Sequence, residues 1–344
     1  MNEQQHYETV DLPFYKNEIQ PTLPKRILDF HAHIWSKRHW ETVPYQDGSK
    51  GGKYMVVKTE YLKEDLKRDA RRILPASSYS AVCFGMPTPA ADLRKTNLYS
   101  AESGREEWIY PLMIAGKNLA SQDQIVQQLK EYGFWGYKVF LNWYGDDYGH
   151  VRIEDMLSPV EMDLAEKYRL VVLLHVPRSR RLADREIQRG VQKLSREYPN
   201  AQIVLAHCGR CYLPDEMKMA IHSIRDLDNV YLDTSMVMDP VVLQMILEEI
   251  DSSRVLFATD FPVPTMRGRR VYVMDHWVDL VLPGNAESAF RVQSDNFRAT
   301  FMVYEIILAI RRAAERVKLP QDKLSAIFCA NGMAVLNRVQ RPAK

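Results

Sequence analysis

Eight short apolar runs recur along the chain at nearly constant spacing, and this repeat most restricts the folds that the sequence can adopt. The runs cover residues 26–33, 79–86, 108–116, 136–143, 169–176, 201–208, 229–235 and 253–261. Six of the seven intervals between their ends are 26 to 33 residues long, which is the length of one strand followed by one helix. The repeat therefore predicts β-α units around a parallel sheet.

Amphipathic segments lie between these runs, where apolar residues recur every three to four positions. The clearest predicted helices cover residues 60–74, 121–133, 183–198 and 239–250. Asp239 precedes Pro240 in the last of them. This order is typical of an N-cap residue followed by proline at the first helical position.

Eight such units favour a closed α/β barrel, the (β/α)8 or TIM barrel, for which about 250 residues are typical. An open doubly wound sheet is the alternative, but no glycine-rich phosphate-binding turn follows any predicted strand. We interpret residues 1–344 as one domain with its core at about 26–337. The residues in excess of a typical barrel are assigned to three segments. These are an N-terminal arm before residue 26, a loop insertion at 40–57 and extra C-terminal helices from 297 to 338.

The charge balance excludes some classes of partner. Lys and Arg number 46 and Asp and Glu number 44, so no strong field favours nucleic acid or an anionic membrane. Four cysteines are too few for a disulfide framework, and Cys208 and Cys211 lack the second pair of a zinc knuckle. With no basic and apolar leader, we expect a cytoplasmic protein that acts on a small molecule.

Ligand-type side chains end four of the predicted strands. His31 and His33 end the first, His175 the fifth, His207 the sixth and Asp260 the eighth. Taken singly, each histidine could be a packing or surface residue, and the aspartate could belong to a buried ion pair. In a barrel, however, the carboxyl ends of all strands meet at one face, so the five together predict a metal site.

Seven short motifs carry a family resemblance, and they occur in the order DFHAHIW, GYKVF, LLHVP, LAHCG, LDTS, FATDFP and CANGMAVL. In this order and spacing the chain resembles the amidohydrolase superfamily. More narrowly, it resembles the amidohydrolase-2 branch, which includes enzymes similar to aminocarboxymuconate semialdehyde decarboxylase. The resemblance covers residues 26–337. It is specific for fold and metal chemistry but not for substrate.

The resemblance implies that His31, His33, His175 and Asp260 bind one divalent metal, most often zinc. It implies that His207 stands beside the metal as a catalytic acid or base, while Asp260 also accepts a proton from the attacking water. The implied function is hydrolysis of an ester, lactone or amide carbonyl in a small anionic substrate. Non-oxidative decarboxylation of an aromatic or unsaturated acid is the alternative, and an inactive barrel that only binds is a third possibility.

Five further residues keep two or more interpretations each. Lys138 could carry a carbamate that bridges two metals, contact the substrate or the metal ligands, or pair structurally. Arg178 could bind an anionic substrate or lie in a solvated loop. Trp35 and Trp143 could wall a substrate pocket or pack beneath loops. Asp233 could orient a ligand histidine or cap the next helix.

The C-terminal helical segment 297–317 carries more apolar side chains than one solvated face can hide. Such a segment packs on its own barrel or on a neighbour's. Because relatives in the resembled branch are frequently dimers, we expect a homodimer.

Overall fold

The computed structural model describes residues 2–40, 58–86, 88–144, 149–274, 276–281 and 298–342. Within these ranges, nine parallel strands follow the predicted apolar runs. They are β1 Arg26–His33, β2 Ser78–Phe84, β3 Ile109–Pro111, β4 Met113–Ile114, β5 Gly136–Val139, β6 Val171–Leu174, β7 Gln202–Leu205, β8 Val230–Asp233 and β9 Val255–Leu256. The third predicted strand is thus divided in two at Leu112.

The strands form a closed ring. β1, β2 and β3 pair side by side, and β4 to β9 pair in sequence order. Leu112 N donates to Cys83 O at 2.8 Å and so continues the ring from β2 past the break between β3 and β4. At the opposite seam, Phe30 N donates to Phe257 O at 2.9 Å and Asp260 N donates to His31 O at 2.8 Å. The predicted α/β barrel is therefore confirmed.

Helices cover the outside of the ring. The four predicted ones are Lys63–Ile73, Gln122–Tyr132, Arg185–Glu197 and Pro240–Glu249, and Asp239 accepts a hydrogen bond from Val241 N at 2.8 Å. The other long helices are Leu93–Ser103, Pro159–Tyr168, Pro214–Ala220, Met302–Arg316, Gln321–Phe328 and Ala330–Arg338. Shorter helical turns are Lys37–His39, Leu141–Tyr144, Ile153–Met156, Arg181–Ala183, His207–Arg210, Ile221–Ser223, Ser252–Arg254 and Val263–Thr265.

Two segments lie outside the repeat. The N-terminal arm is a run of short helical turns from Glu3–His6 to Gln20–Thr22. An antiparallel hairpin, β10 Gly268–Val273 and β11 His276–Val281, follows the last barrel strand and was not predicted. Most of the predicted insertion, residues 41–57, lies outside the described residues. No helix in the described ranges is long and apolar enough to cross a membrane.

Alternate strand residues divide between two apolar clusters, as the two-residue period of a strand requires. The larger cluster fills the space between strands and helices. The smaller one fills the barrel interior and contains Leu28, Phe30, Val82, Phe84, Leu112, Val171, Leu173, Val204, Ala206, Tyr231, Leu256, Ala258, Val335 and Leu336. Its last two members come from helix Ala330–Arg338, which Asn331 ties to the carbonyls of Ser252 and Val255. The interior is therefore a packed core.

Candidate active site

Ligand-type side chains gather at the carboxyl rim of the barrel. All are buried, and each lies in a barrel strand or within four residues of its end: His31, His33, Lys138, His175, His207, Asp233 and Asp260. His31 and Asp260, the first and the last of them, are 229 positions apart in the sequence (260 − 31), so the ring of strands is what brings them together. The five residues predicted for a metal site are among them.

Irregular backbone turns two of the histidines toward this rim. Phe30 and Ala206 belong to the interior cluster, so a regular strand would point the next residue outward. In β1 the register with β2 shifts between Asp29 and Ala32, which is a bulge. At His207 the backbone is left-handed, with φ +55°. These irregularities allow His31 and His207 to face the same space.

Asp260 lies at the centre of the cluster. Its Oδ1 is 3.4 Å from His31 Nε2 and 3.2 Å from His33 Nε2. One ligand atom from each of His31, His207 and Asp260 lies within 4.8 Å of the other two. The spacing is that of groups able to surround one ion.

The other nitrogen of each of these imidazoles is occupied by an oxygen. His31 Nδ1 lies 2.9 Å from Asp233 Oδ2, His33 Nδ1 3.1 Å from Gly85 O, and His207 Nδ1 3.1 Å from Ser235 O. Carbonyl and ionised carboxylate oxygens only accept hydrogen bonds, so we assign the ring proton to Nδ1 in all three. Each Nε2 then carries a lone pair, which is the arrangement of metal-ligating histidines.

This assignment places acceptors against an acceptor. Burial lowers the pKa of His33 to about 4 although Asp260 opposes the shift, so the ring is neutral at pH 7. Burial alone would raise the pKa of Asp260, but its contact with His33 and the proximity of His31 and His207 lower it to about 2. In this tautomer the Nε2 lone pairs of His31 and His33 thus face Asp260 Oδ1 at 3.4 and 3.2 Å. A divalent cation between them would turn this repulsion into attraction.

His175 lies at the edge of the cluster. Its ring stacks on Phe140 at 4.6 Å and meets the His207 ring edge-on at 5.1 Å. Its Nδ1 is buried and has no hydrogen-bond partner among the described residues. An orphaned buried nitrogen is costly unless a ligand occupies it. The donor set therefore fits a divalent metal, and the unpartnered nitrogen of His175 is available for a further ligand.

Lys138 is brought into the same site. Its Nζ is 3.2 Å from His31 Nε2 and sits over the rings of Phe84 and Phe140. Burial lowers the pKa of Lys138 to about 8, although Asp233 and Asp260 oppose the shift. This position is compatible with contact to the metal ligands or the substrate and does not make Lys138 a solvated residue.

Asp233 accepts hydrogen bonds from two of the histidines. It accepts from the ring of His31 through Oδ2 and from the backbone N of His207 through Oδ1, the latter at 2.8 Å. Ser235, which the sequence analysis missed, places its hydroxyl 2.8 Å from His207 Nδ1 and bonds to Asp233. The short polar run of the LDTS motif was the available signal.

Asp29 was also missed, and it ties the two halves of the site together. Its carboxylate accepts from His31 N, Thr259 N, Thr259 Oγ1 and Tyr79 Oη at 2.5 to 3.0 Å. His31 and Asp260, which neighbours Thr259, are thereby fixed relative to each other across the seam of the ring. A charged residue inside the apolar run ILDF was the signal for it.

Replacing Asp29 by alanine should lower the free energy of unfolding by about 2 to 4 kcal/mol, because four buried donors lose their acceptor. Urea-induced unfolding of the purified variant measures this loss. Asp226, whose side chain is 79% exposed, provides the control, and Asp226→Ala should change stability by less than about 0.5 kcal/mol. Equal losses in the two variants would contradict the role given to Asp29.

The backbone at the site is strained. His207 has φ +55° and Asp260 has φ +75°, values that side-chain-bearing residues rarely adopt. Each such residue costs roughly 1 to 3 kcal/mol, and the surrounding hydrogen bonds must hold it in place. Strain of this kind concentrates at functional sites, which agrees with the chemistry of the two side chains.

Two residues predicted to bind substrate have other contacts. Arg178 pairs with Asp184 at 3.3 Å and donates to the carbonyl of Val151 at 3.0 Å. Trp35 is only 1% exposed and donates through its indole to Thr59 O at 3.1 Å. Both side chains therefore hold loops together, and a role for them in a substrate pocket stays a prediction.

Trp143 remains partly buried in the turn after β5. Its indole Nε1 is buried and has no partner among the described residues, and residues 145–148, which follow it, lie outside them. Its role as a wall of the substrate pocket stays a prediction.

A parallel barrel with histidines and an aspartate at its carboxyl rim defines a class of metal-dependent enzyme. The sequence model of the family described as Amidohydrolase matches residues 28–291, which is most of the chain. The chain therefore belongs to the amidohydrolase family. A comparison with curated proteins finds no match.

Solved structures share the fold at low sequence identity. An amidohydrolase from Burkholderia multivorans with bound zinc is 14% identical, with 92% of this chain and 99% of that chain covered and a TM-score of 0.57. The 5-carboxyvanillate decarboxylase from Sphingomonas paucimobilis is 11% identical over 91% and 99%, with a TM-score of 0.56. A probable 2-pyrone-4,6-dicarboxylic acid hydrolase from Acinetobacter baumannii is 13% identical over 90% and 99%, with a TM-score of 0.53. These likenesses show the barrel.

Proposed function

We propose that this amidohydrolase hydrolyses an ester, lactone or amide carbonyl of a small anionic molecule. The observation that carries the proposal is the approach of two imidazole Nε2 atoms to one oxygen of Asp260, at 3.2 and 3.4 Å. Imidazole nitrogens and a carboxylate oxygen gathered at these distances are the donor types that a catalytic divalent cation uses in proteins.

His31, His33, His175 and Asp260 are the proposed ligands, and zinc is the proposed ion. When bound, such an ion lowers the pKa of water and polarises a carbonyl group. Three imidazoles and one carboxylate leave coordination positions for water and substrate, as a catalytic site requires. Asp233 keeps the His31 ring in the orientation that directs Nε2 at the site, and Gly85 O does the same for His33.

Proton transfer falls to Asp260 and His207. Asp260 Oδ1 accepts the proton of the attacking water: burial alone would raise its pKa, but the contact with His33 and the proximity of His31 and His207 lower the pKa to about 2 and keep the carboxylate ionised. Burial is also the largest cause that lowers the pKa of His207 to about 3, so its ring is neutral at pH 7. Because Ser235 O holds Nδ1, His207 Nε2 is the atom that exchanges a proton with the reacting group.

Decarboxylation is the second candidate. The solved structures that share this fold include a 5-carboxyvanillate decarboxylase and a 2,6-dihydroxybenzoate decarboxylase. For that reaction the same rim would hold the substrate carboxylate, and His207 or Asp260, after taking up a proton from water, would protonate the ring carbon as carbon dioxide leaves. The aromatic surroundings of the rim, Phe84 and Phe140, suit such a substrate as well.

A product assay separates the two reactions. The zinc-loaded protein is incubated with a panel of lactones, esters, amides and carboxylated phenols, and both acid release and carbon dioxide are measured. We expect acid release without carbon dioxide from at least one carbonyl substrate. Carbon dioxide from the phenols with no hydrolysis would replace the first proposal by the second, and no turnover of any compound would contradict both.

We further propose that the enzyme works in the cytoplasm as a homodimer, as the sequence predicts. Light scattering at micromolar concentration measures the mass of the assembly. A mass near the 40.0 kDa of one chain would contradict the dimer.

A further inference from the structure

One serine hydroxyl lies between two histidines of the rim that have different proposed tasks. Ser235 Oγ is 2.8 Å from Nδ1 of His207, the proposed acid or base, and 3.3 Å from Nδ1 of His31, a proposed metal ligand. The same hydroxyl bonds to Asp233 Oδ1, and all four residues are buried. In the proton transfer proposed above, Ser235 contributes only its carbonyl oxygen.

The carboxylate of Asp233 sets the direction of these hydrogen bonds. Its Oδ1 accepts from the backbone N of His207 at 2.8 Å and of Ser235 at 3.1 Å, and its Oδ2 lies 2.9 Å from His31 Nδ1. Burial alone would raise the pKa of Asp233, but the proximity of His31 and His207 lowers it below its ordinary value. Because an ionised carboxylate only accepts, the Ser235 hydroxyl must direct its single proton at Asp233.

The hydroxyl can then only accept from the imidazoles, since its one proton is already donated. His207 Nδ1 therefore faces two acceptors of one residue, Ser235 Oγ at 2.8 Å and Ser235 O at 3.1 Å. A ring proton on Nε2 would leave the Nδ1 lone pair against both oxygens, and a buried polar group without a partner is costly. Every group of this network is satisfied only when His207 carries its proton on Nδ1.

The backbone on both sides of this contact is irregular. His207 has φ +55°, and Met236, which follows Ser235, has φ +57°. Left-handed residues of this kind persist only where surrounding contacts fix them. Among the described residues, the His207 ring forms hydrogen bonds only with Ser235. The orientation of the ring thus depends on this one residue.

We propose that Ser235 is the positioning residue of His207, and that its hydroxyl links the His207 ring to the carboxylate of Asp233. When His207 Nε2 takes a proton from the reacting group, the ring becomes cationic. Its Nδ1–H continues to donate to Ser235 Oγ, whose own proton stays directed at Asp233, so no proton moves along the chain. The proposal rests on the function proposed above, because the orientation matters for catalysis only if His207 exchanges that proton.

The position of the ring proton tests the proposal without a substrate. In zinc-loaded protein with nitrogen-15-labelled histidine, two-bond correlations in the NMR spectrum show which ring nitrogen carries the proton. The pattern that is missing in His207→Asn identifies His207. We expect the Nδ1–H form in the unaltered protein. In Ser235→Ala only the carbonyl acceptor remains, so the ratio of the Nε2–H to the Nδ1–H form should rise about fivefold, as expected for one lost hydrogen bond.

Two results of this experiment would overturn the proposal. One is an Nε2–H ring in the unaltered protein, which needs no variant to be folded. The other is an unchanged ratio of the two forms in Ser235→Ala.

Kinetics separate positioning from a purely structural role. Ser235→Ala should lower kcat about tenfold and leave KM within about twofold, because the hydroxyl acts on proton transfer and not on substrate binding. In the His207→Asn background the same substitution should lower kcat no further, because the ring through which Ser235 acts is gone. An equal loss in both backgrounds would make Ser235 a structural residue of the rim.

Zinc affinity provides a second readout. Ser235→Ala should keep the affinity within about threefold, because Asp233 retains its contact with His31 Nδ1. A loss of about tenfold or more, measured against a competing chelator, would mean that the hydroxyl serves the metal ligand and not His207.

Ser100 provides the matched control. Its buried hydroxyl donates to Thr96 O at 3.1 Å within helix Leu93–Ser103. Ser100→Ala should leave the ratio of the ring forms and kcat within about twofold of the unaltered protein. Circular dichroism and Tm confirm that each variant is folded.

The outcomes separate this inference from the proposed function. If the ring forms respond to Ser235→Ala as expected but no carbonyl compound is hydrolysed, the positioning role stands and the proposed function fails. If a substrate is hydrolysed but the ring forms do not respond, the positioning role is refuted and the proposed function stands.

Discussion

Protein purified without chelator should contain about one divalent ion per chain, and His31→Ala or His33→Ala should remove it. The two rings direct Nε2 at the same oxygen of Asp260, within 3.4 Å, so either substitution deletes a ligand and leaves that carboxylate without a counterpart. Elemental analysis after extensive dialysis gives the metal content. Turnover should be lost together with the ion.

Residues that hydrogen-bond to the proposed ligands should affect metal affinity less than the ligands themselves do. Asp233→Asn keeps the shape of the side chain but weakens its hold on His31 Nδ1, and loss of such a partner typically lowers metal affinity 10- to 100-fold. Removal of a ligand should lower the metal affinity by more than this factor. A series of zinc titrations against a competing chelator would therefore rank Asp233→Asn between the unaltered protein and the two alanine variants.

A solvent-exposed histidine serves as the control. His222 is 67% exposed, and its nearest carboxylate, Glu249, is 3.8 Å away, so His222→Ala should retain the full complement of metal. Should His31→Ala and His33→Ala also retain one ion per chain, the proposed ligand set would be wrong. The same measurement on His175→Ala decides whether this edge residue belongs to the set.

The fold and the ligand-type residues could be predicted because both follow from local patterns. Apolar runs at a constant interval specify strands of a parallel ring, and a ring places every strand end at one rim. The sequence alone therefore predicted that five ligand-type residues lie at one rim, before any distance between them was measured. They are His31, His33, His175, His207 and Asp260. The break between β3 and β4 at Leu112 could not be predicted, because one continuous apolar run contains both strands.

The supporting residues could not be predicted because their roles are set by contacts between distant parts of the chain. Asp29 bonds to Thr259, 230 positions away, and Ser235 bonds to His207 across neighbouring strands. Nothing local in the sequence distinguishes Arg270 from the many arginines of the chain. Only the hairpin register, which pairs Arg270 with Asp279, places it between Tyr212 and Trp277.

The contacts of two residues predicted to bind substrate could not be predicted for a similar reason. Position after a strand identifies residues near the rim, but it does not tell which way a side chain turns. Arg178 has φ +67° and turns to Asp184, while Trp35 is covered by the segment that carries Thr59 and Tyr61. Sequence therefore identified the reacting groups better than the groups that select the substrate.

His207→Asn should lower kcat about 100-fold or more while the protein keeps its metal. The asparagine amide can still donate to Ser235 O, but it offers no nitrogen lone pair where His207 Nε2 lies, so proton transfer loses its acceptor. Steady-state kinetics on the substrate found by the product assay, together with elemental analysis, measure both quantities. His222→Asn makes the same chemical change at an exposed position and should leave kcat within about twofold.

Two results would reassign His207. Unchanged turnover would make it a structural residue, whose hydrogen bonds with Asp233 and Ser235 merely stabilise the rim. Loss of the metal along with activity would make it a ligand, as its place within 4.8 Å of His31 and Asp260 allows, and would leave His175 outside the set. Because burial lowers the pKa of His207 to about 3, its ring stays neutral from pH 5 to 8, and kcat should show no step near the ordinary histidine pKa of about 6.5. Because the His207 ring does not change its charge over this range, we expect the pH dependence of kcat to come from other groups of the site.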